Sequence, residues 1–261
     1  LANLKKDRET ISLNDFFHDF NFLENTENCN QNSNIIFKYG LWKVLDKDKS
    51  NPIHINLERL ITFFINGASE IPLEFNHWYY YLLFQFEYEE NKKETDDKKL
   101  NNIKLVGFSS VARFHWEFDS YRSMISQFFI YPQYQRSGHG QSLLSLIIEN
   151  ESKEDKCRDV STEDPSDDYI YLRDVVLFKR FLPYFLEKYY SIKKKIMNKS
   201  SNKEIERINK ITSDSDFDIL TLTEDELKRL NSRFKISQEL IKRIEILVKY
   251  TITYGKSSLE E

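Results

Sequence analysis

The sequence predicts an α/β protein of the α+β kind: a mixed, mostly antiparallel sheet with flanking helices, followed by a helical C-terminal unit. Three observations predict it. Strand-length aromatic and apolar runs recur at 78–88 (WYYYLLFQFEY), 105–116 and 124–131, with polar turns between them. Directly after the third run, Gln135-Arg136-Ser137-Gly138-His139-Gly140 leads into Leu143, Leu144, Leu146, Ile147 and Ile148, spaced as the buried face of a helix. In the last third the patterning is helical throughout.

Taken in order, 1–50 is poorly patterned. Phe16, Phe17, Phe20, Phe22 and Leu23 could cover a core, 25–34 is an Asn-rich loop, and 37–45 reads as a strand. The first residue is Leu1 rather than Met, which reads as a trimmed start. A helix is expected over 57–65, with Asn56 as N-cap and Leu57, Leu60, Ile61, Phe64 and Ile65 facing the core. The run at 78–88 is aromatic enough to be a strand buried on both faces. The almost purely charged 89–99 is a solvated hairpin loop. The next strand turns at 119–123 and returns antiparallel over 124–131, closed by Pro132. A short strand follows at 157–162.

Asp164-Pro165 reads as a helix start, Asp at the cap and Pro in the first turn, with Tyr169, Leu172, Val175 and Val176 as the buried side. The charged stretch 193–203 is expected to be a loop. Thr223-Glu224-Asp225-Glu226 is a capping box. A last helix over 238–252 puts Leu240, Ile241, Ile244, Leu247 and Val248 on one stripe. This division gives 1–55 as the remnant of an N-terminal domain, 56–182 as the sheet-bearing α/β domain and 183–261 as a C-terminal helical region.

Composition narrows the function. The 261 residues carry 38 basic and 42 acidic side chains, a formal net charge of −4. That balance argues against a charge-driven nucleic-acid binder and suits a cationic substrate. Cys29 and Cys157 give neither a disulfide framework nor metal-ligand spacing, and a reducing compartment follows. The five histidines form no ligand cluster, so no metal site is expected. No apolar run reaches the roughly 18 residues of a membrane span, and no signal peptide is recognisable.

Two of only six glycines, Gly138 and Gly140, stand where a strand gives way to a helix. That junction aims backbone N–H groups and the positive end of a helix dipole at one point, which suits a diphosphate. Glycines there leave the ligand room and can take positive φ. A Walker A loop is excluded because no Gly-Lys-Ser/Thr follows, and a Rossmann turn lacks its third glycine and its distal acid. The string resembles motif A of the GNAT acetyltransferases, Gln/Arg-x-x-Gly-x-Gly/Ala, and the strand, glycine turn, helix and short strand come in the order of the GNAT core.

The resemblance extends to one family. Ser126-Gln127, Pro132, Gln135 to Gly140, Thr162-Glu163-Asp164-Pro165, Tyr169, Leu172-Arg173-Asp174 and Val176-Leu177 resemble the type B histone acetyltransferase catalytic subunit. Val106-Gly107-Phe108, Trp78-Tyr79 and Phe234-Lys235-Ile236 also fit. The likeness implies the GNAT acyl-CoA N-acyltransferase fold and acetyl transfer from acetyl-CoA to lysine on newly made histone H-four tails. It also implies a WD-repeat histone chaperone as partner, and a place in nucleus and cytoplasm.

Lysine acetylation needs a base, since a free lysine amine has a pKa near ~10.4 and is almost wholly protonated at pH 7. Glu163 and Asp164 follow the short strand. Asp164 is assigned to capping, which leaves Glu163 as the base, the residue to which the resemblance also points. The resemblance implies a cofactor set of Phe128, Phe129 and Ile130 through their backbone groups, Gln135, Arg136, Ser137, Gly138, His139, Gly140, Gln141 and Ser166. His139 itself reads as a helix-start residue rather than a catalyst. Ala112, Arg113 and Phe114 fall where the family lays its peptide. Asn66 stands where relatives carry a further carboxylate, so Glu163 works with less help or Glu70 substitutes. Two other readings stay open: a GNAT enzyme for a protein N-terminus or small amine, and a catalytically weak histone-binding assembly subunit.

Overall fold

The computed structural model describes residues 21–22, 35–43, 52–65, 67–69, 71, 77–88, 100–199 and 220–254. The expectations for Phe16, Phe17, Phe20, Leu23, 25–34, Asn66, Glu70 and 89–99 lie outside the described residues. Two compact units are present. One comprises Leu1–Phe114 with Met124–Leu143, and the other His115–Ser123 with Leu144–Glu261.

The first unit is built on strands β1 (Asn21–Phe22), β2 (Ile35–Lys43), β3 (Trp78–Tyr88), β4 (Leu100–His115) and β5 (Tyr121–Ile130), hydrogen-bonded in that order. β2 and β4 both run antiparallel to β3, with Tyr39 opposite Leu83 and Tyr80 opposite Ser110. β3 is buried on both faces as its composition predicts: Tyr80, Leu82, Phe84 and Phe86 alternate with the equally buried Tyr81, Leu83 and Gln85. The even-numbered set meets helix α1 (Pro52–Phe64), whose Leu57 and Ile61 join Trp42, Trp78, Phe108 and Phe129 in one core cluster. Each such side chain contributes ~1.5–3 kcal/mol by leaving water.

α1 begins earlier than expected. Pro52 opens it, as a proline without an N–H suits a first turn, and Asn56 lies inside the helix rather than at its cap. A half-buried carboxylate fastens α1 to the sheet. Glu58 accepts from the Tyr80 hydroxyl at 3.0 Å and from the Ile71 N–H at 3.2 Å. Burial, then the Glu58 charge and hydrogen bond, hold the Tyr80 phenol well above its ordinary pKa. Between β4 and β5 lies a polar ladder. Ser109 donates to the Gln127 carbonyl at 2.8 Å and Ser110 to the Gln127 side chain at 2.7 Å, with all three residues buried. A one-residue slip would strand these groups, so the ladder fixes the register of β5.

The second unit holds β6 (Cys157–Thr162), the body of α2 (His139–Lys153), α3 (Asp167–Lys199), α4 (Glu224–Phe234) and α5 (Gln238–Tyr254). β6 lies beside the first residues of β5: Tyr121 N–H donates to the Lys156 carbonyl at 2.9 Å and Arg122 pairs with Asp159 at 2.8 Å. The turn before β5 sits at Glu117–Ser120, slightly earlier than predicted, with Phe118 and Asp119 at positive φ.

Phe181 and Phe185 of α3 are fully buried, as are Ile241, Ile244 and Val248 of α5. Tyr169 and Val176 are buried as expected, while Leu172 and Val175 are only half-buried. Leu247 departs from the predicted stripe and is 42% exposed. α3 also runs through 193–199, where a loop was expected, because lysine is a good helix former.

The Thr223 capping box of α4 is complete, with both reciprocal bonds to Glu226. Around it, Lys188 of α3 pairs with Glu226 at 2.8 Å and donates to the Thr221 carbonyl at 2.9 Å. From α5, Lys249 pairs with Glu245 at 2.6 Å and reaches the Thr221 hydroxyl at 2.7 Å. Three helices thus meet on Thr221–Thr223.

Candidate functional site

The site in the first unit is built at the end of β5. Phe129 points into the α1 cluster, its ring 4.8 Å from Phe64 and 5.2 Å from Tyr131, so its side chain is core, as is that of Ile130. Phe128, just before them, is half-buried. Ile130 crosses β4 at Gly107. A Cβ on Gly107 would lie 2.7 Å from the Phe129 carbonyl oxygen and closer still to the Ile130 Cδ1. The pairing of β3 with β4 shifts here, from Leu83 opposite Gly107 to Phe84 opposite Leu105, which leaves Val106 as a bulged residue. Its carbonyl accepts from the Tyr131 N–H at 3.0 Å.

A single 3₁₀ turn, Pro132–Tyr134, then reverses the chain, with Gln135 N–H closing onto the Pro132 carbonyl at 3.2 Å. Arg136 (φ 61°) and Gly138 (φ 86°) both take the left-handed conformation. Such residues turn backbone N–H groups into a concavity that accepts anions. The first bond of α2, Ser142 N–H to the Gly138 carbonyl at 3.1 Å, makes Gly138 the helix start. The first turn, His139, Gly140 and Gln141, therefore aims its N–H groups outward beyond the helix end. A Cβ on Gly138 would meet none of the described residues beyond its own neighbours within 4 Å, so among them the space before the helix is open. Gly140 lies in the helix and is not at positive φ; the left-handed glycine is Gly138 alone of the two. Gln135 to Gly138 are exposed.

The His139 ring is buried, 4.5 Å from Phe37 and 6.2 Å from Tyr134, which makes it a packing residue at the helix start. Of the three residues expected to lie along a peptide, Ala112 is fully buried opposite Trp78, Arg113 lays its guanidinium 4.2 Å over Tyr79, and Phe114 is partly exposed beside His77. Lys43 approaches the same Tyr79 ring at 5.9 Å, which makes Tyr79 the middle of a cation–aromatic strip that the sequence did not announce.

In the second unit, Glu163 and Asp164 leave the end of β6 exposed to solvent. The capping role expected of Asp164 is not found. α3 starts at Asp167 and Ser166 is its cap, its hydroxyl accepting from Tyr169 N–H at 3.4 Å and its carbonyl from Ile170 N–H at 2.9 Å. Asp164 instead has φ 37°, bending the chain between β6 and α3, a conformation short polar residues tolerate. Asp167 and Asp168 supply the negative charge of the first turn. Behind this bend Thr162 donates to the buried Tyr169 hydroxyl at 3.2 Å, and burial pushes the Tyr169 phenol up to about 12. Among the described residues no group of three or more His, Cys, Asp or Glu side chains could hold a metal ion, and no helix is long and apolar enough to cross a membrane.

A strand that ends in a left-handed turn and opens a helix has the geometry of the class of turns that suit the phosphates of coenzymes and nucleotides. Comparison with known proteins gives that class a particular direction. Over 134 residues, 51% of this chain and 30% of the relative, the chain is 33% identical to the histone acetyltransferase type B catalytic subunit of Mus musculus. It is 31% identical to that of Schizosaccharomyces pombe over 59% of this chain and 39% of the relative, and 32% identical to that of Candida albicans over 55% and 35%. The similarity thus spans about a third of the length of these curated relatives. No protein-family model matches the chain. Among solved structures, it is similar to an aminoglycoside acetyltransferase from a soil metagenome bound to sisomicin (TM-score 0.34, 16% identity, 52% of this chain and 83% of that one). It is also similar to Arabidopsis thaliana Naa50 bound to a CoA bisubstrate analogue (TM-score 0.34, 16% identity, 55% and 81%).

Proposed function

We propose that the chain transfers acetyl from acetyl-CoA to the side-chain amine of lysine, on the tail of newly made histone H-four. The observation that carries this reading is the left-handed turn Arg136–Gly138 at the head of α2, with open space where a Gly138 Cβ would stand. Such a cradle suits a diphosphate, and the similarity to histone acetyltransferase type B catalytic subunits supports acetyl transfer with a histone as acceptor. The N–H groups of 136–141 bind the diphosphate, and the backbone of Phe128, Phe129 and Ile130 pairs with the pantetheine amides.

Glu163 accepts the proton that the lysine ammonium must lose. The neutral amine then forms the C–N bond as the thioester C–S bond breaks, and the leaving thiolate takes up the proton released by the new amide. Asp164 sets the bend that presents Glu163. Arg113 and Phe114 flank the peptide. The excess of acid over base draws a basic tail, a WD-repeat histone chaperone presents it, and the work is done in cytoplasm and nucleus. Calorimetric titration with acetyl-CoA, followed by acetylation of a histone H-four tail peptide, tests the reading. Saturable binding with acetyl appearing on lysine is expected. Binding with transfer only to small amines or peptide N-termini would overturn the acceptor, and no binding would overturn the enzyme.

A further inference from the structure

Ile130, the last residue of β5, is held from three directions. Below it, the missing Cβ of Gly107 admits its side chain, and a Cβ there would press on the Phe129 carbonyl at 2.7 Å. Beyond it, the Tyr131 N–H is fixed to the carbonyl of the bulged Val106 at 3.0 Å. In front, its own carbonyl accepts a hydrogen bond from the Gln135 side-chain amide at 2.8 Å. Gln135 is the first residue of the glycine turn. Its backbone is pinned in turn: its N–H donates to the Pro132 carbonyl at 3.2 Å and its carbonyl accepts from the Ser137 hydroxyl at 3.3 Å. A side chain of the anion-binding turn is therefore committed to the strand.

We infer that Gln135 is a positioning residue, whose amide locks the turn to the end of β5 so that the diphosphate and pantetheine sites stand in fixed relation. The role rests on the acetyl-CoA reading and assigns Gln135 a task other than touching phosphate. A long ligand gripped at two places gains most when those places do not move independently, because the ordering is done before it arrives. Gly107 supplies the opposing surface, since without its close approach Ile130 would rise and the amide would lose its acceptor.

The test uses three ligands. Acetyl-CoA spans the turn and the strand, S-acetylpantetheine lacks the diphosphate and reaches the strand alone, and ADP offers the diphosphate alone. Gln135→Met keeps the length of the side chain but cannot donate. Loss of one net hydrogen bond corresponds to about a threefold to tenfold change in affinity. Gln135→Met is expected to weaken acetyl-CoA by about that factor while S-acetylpantetheine and ADP keep their affinities, and Gln135→Arg, which restores a donor, to recover acetyl-CoA. Gly107→Ala is expected to weaken acetyl-CoA as well, from the other side of the strand. Weakened ADP binding in Gln135→Met would show Gln135 serving the diphosphate directly and overturn the inference. A lowered melting temperature with acetyl-CoA affinity intact would overturn it too, by reducing the bond to a purely structural one. Failure of the unaltered protein to bind acetyl-CoA would instead overturn the proposed function, and this role with it.

Discussion

Replacing Gly138 by aspartate separates the ligand's needs from the fold's. The backbone there has φ 86°, so any side chain incurs strain of ~1–2 kcal/mol, and Asp tolerates left-handed geometry better than most. Among the described residues none beyond its chain neighbours comes within 4 Å of the added Cβ, so no clash with them adds to that strain. The fold should survive with a melting temperature lower by a few degrees, as ~1 kcal/mol moves a domain of this size by about 2–4 °C. The binding loss is larger. The carboxylate stands where the diphosphate should sit, repels it, and competes for the N–H groups at the head of α2. Together these should exceed ~2.7 kcal/mol, or about 100-fold in affinity for acetyl-CoA. Gly138→Ala carries the strain without the charge and should lose far less affinity. Calorimetry on both variants, with circular dichroism to establish folding, is the assay. A folded Gly138→Asp protein that binds acetyl-CoA as tightly as the original would refute the site.

The carboxylates divide by a similar comparison. Glu163→Gln should lower kcat by about 10²–10⁴ with acetyl-CoA binding intact, and the deficit should shrink as rising pH deprotonates lysine. Asp164→Asn should keep most activity and stability, since Asn accepts the φ of 37°; the reverse pattern would exchange their roles. Added salt should raise KM for a histone-tail peptide, because screening weakens attraction between an acidic protein and a basic tail; a salt-independent KM would favour a neutral acceptor. Burial alone would raise the Glu226 carboxyl, but the bonds from Lys188 and Thr223 outweigh it and hold the group below its ordinary value. Its contribution is therefore present above the unfolded pKa and lost as pH falls through the folded one. Between about pH 5 and pH 3 the native protein should lose more thermal stability than Glu226→Gln, and parallel melting curves would refute the assignment.

Where local signals agreed, the sequence was legible. β3 has the bounds that its unbroken aromatic run implies, and the Thr223 capping box forms as written, because both depend on near neighbours. The strand, glycine turn and helix around 127–148 were legible for the same reason. Misreadings arose where two residues could do one job. Asp164-Pro165 and Ser166-Asp167 are both plausible helix starts, and only the bend at Asp164 decides for Ser166. Pro52 and Asn56 competed likewise at α1, and the proline won. Gly107 was visible only as a lone glycine in a strand, a sign of close backbone approach whose partner no spacing could name. The Gln135 amide bond was hidden in the same way, since nothing in the string says which way a side chain turns.

The Glu58 carboxylate beneath α1 has a consequence for the order of assembly. Stripping a carboxylate of water is costly until its donors arrive, and here they come from separate places, the Tyr80 hydroxyl in β3 and the Ile71 N–H beyond the helix. Neither half-formed arrangement is comfortable, so α1, the strand beneath it and the segment at Ile71 close as one cooperative step. The exchange of the Ile71 amide proton with solvent then reports the opening of that whole layer rather than the breathing of a loop. A disturbance far from the glycine turn, in the residues that follow α1, would loosen Tyr80 and through it the cluster that seats Phe129.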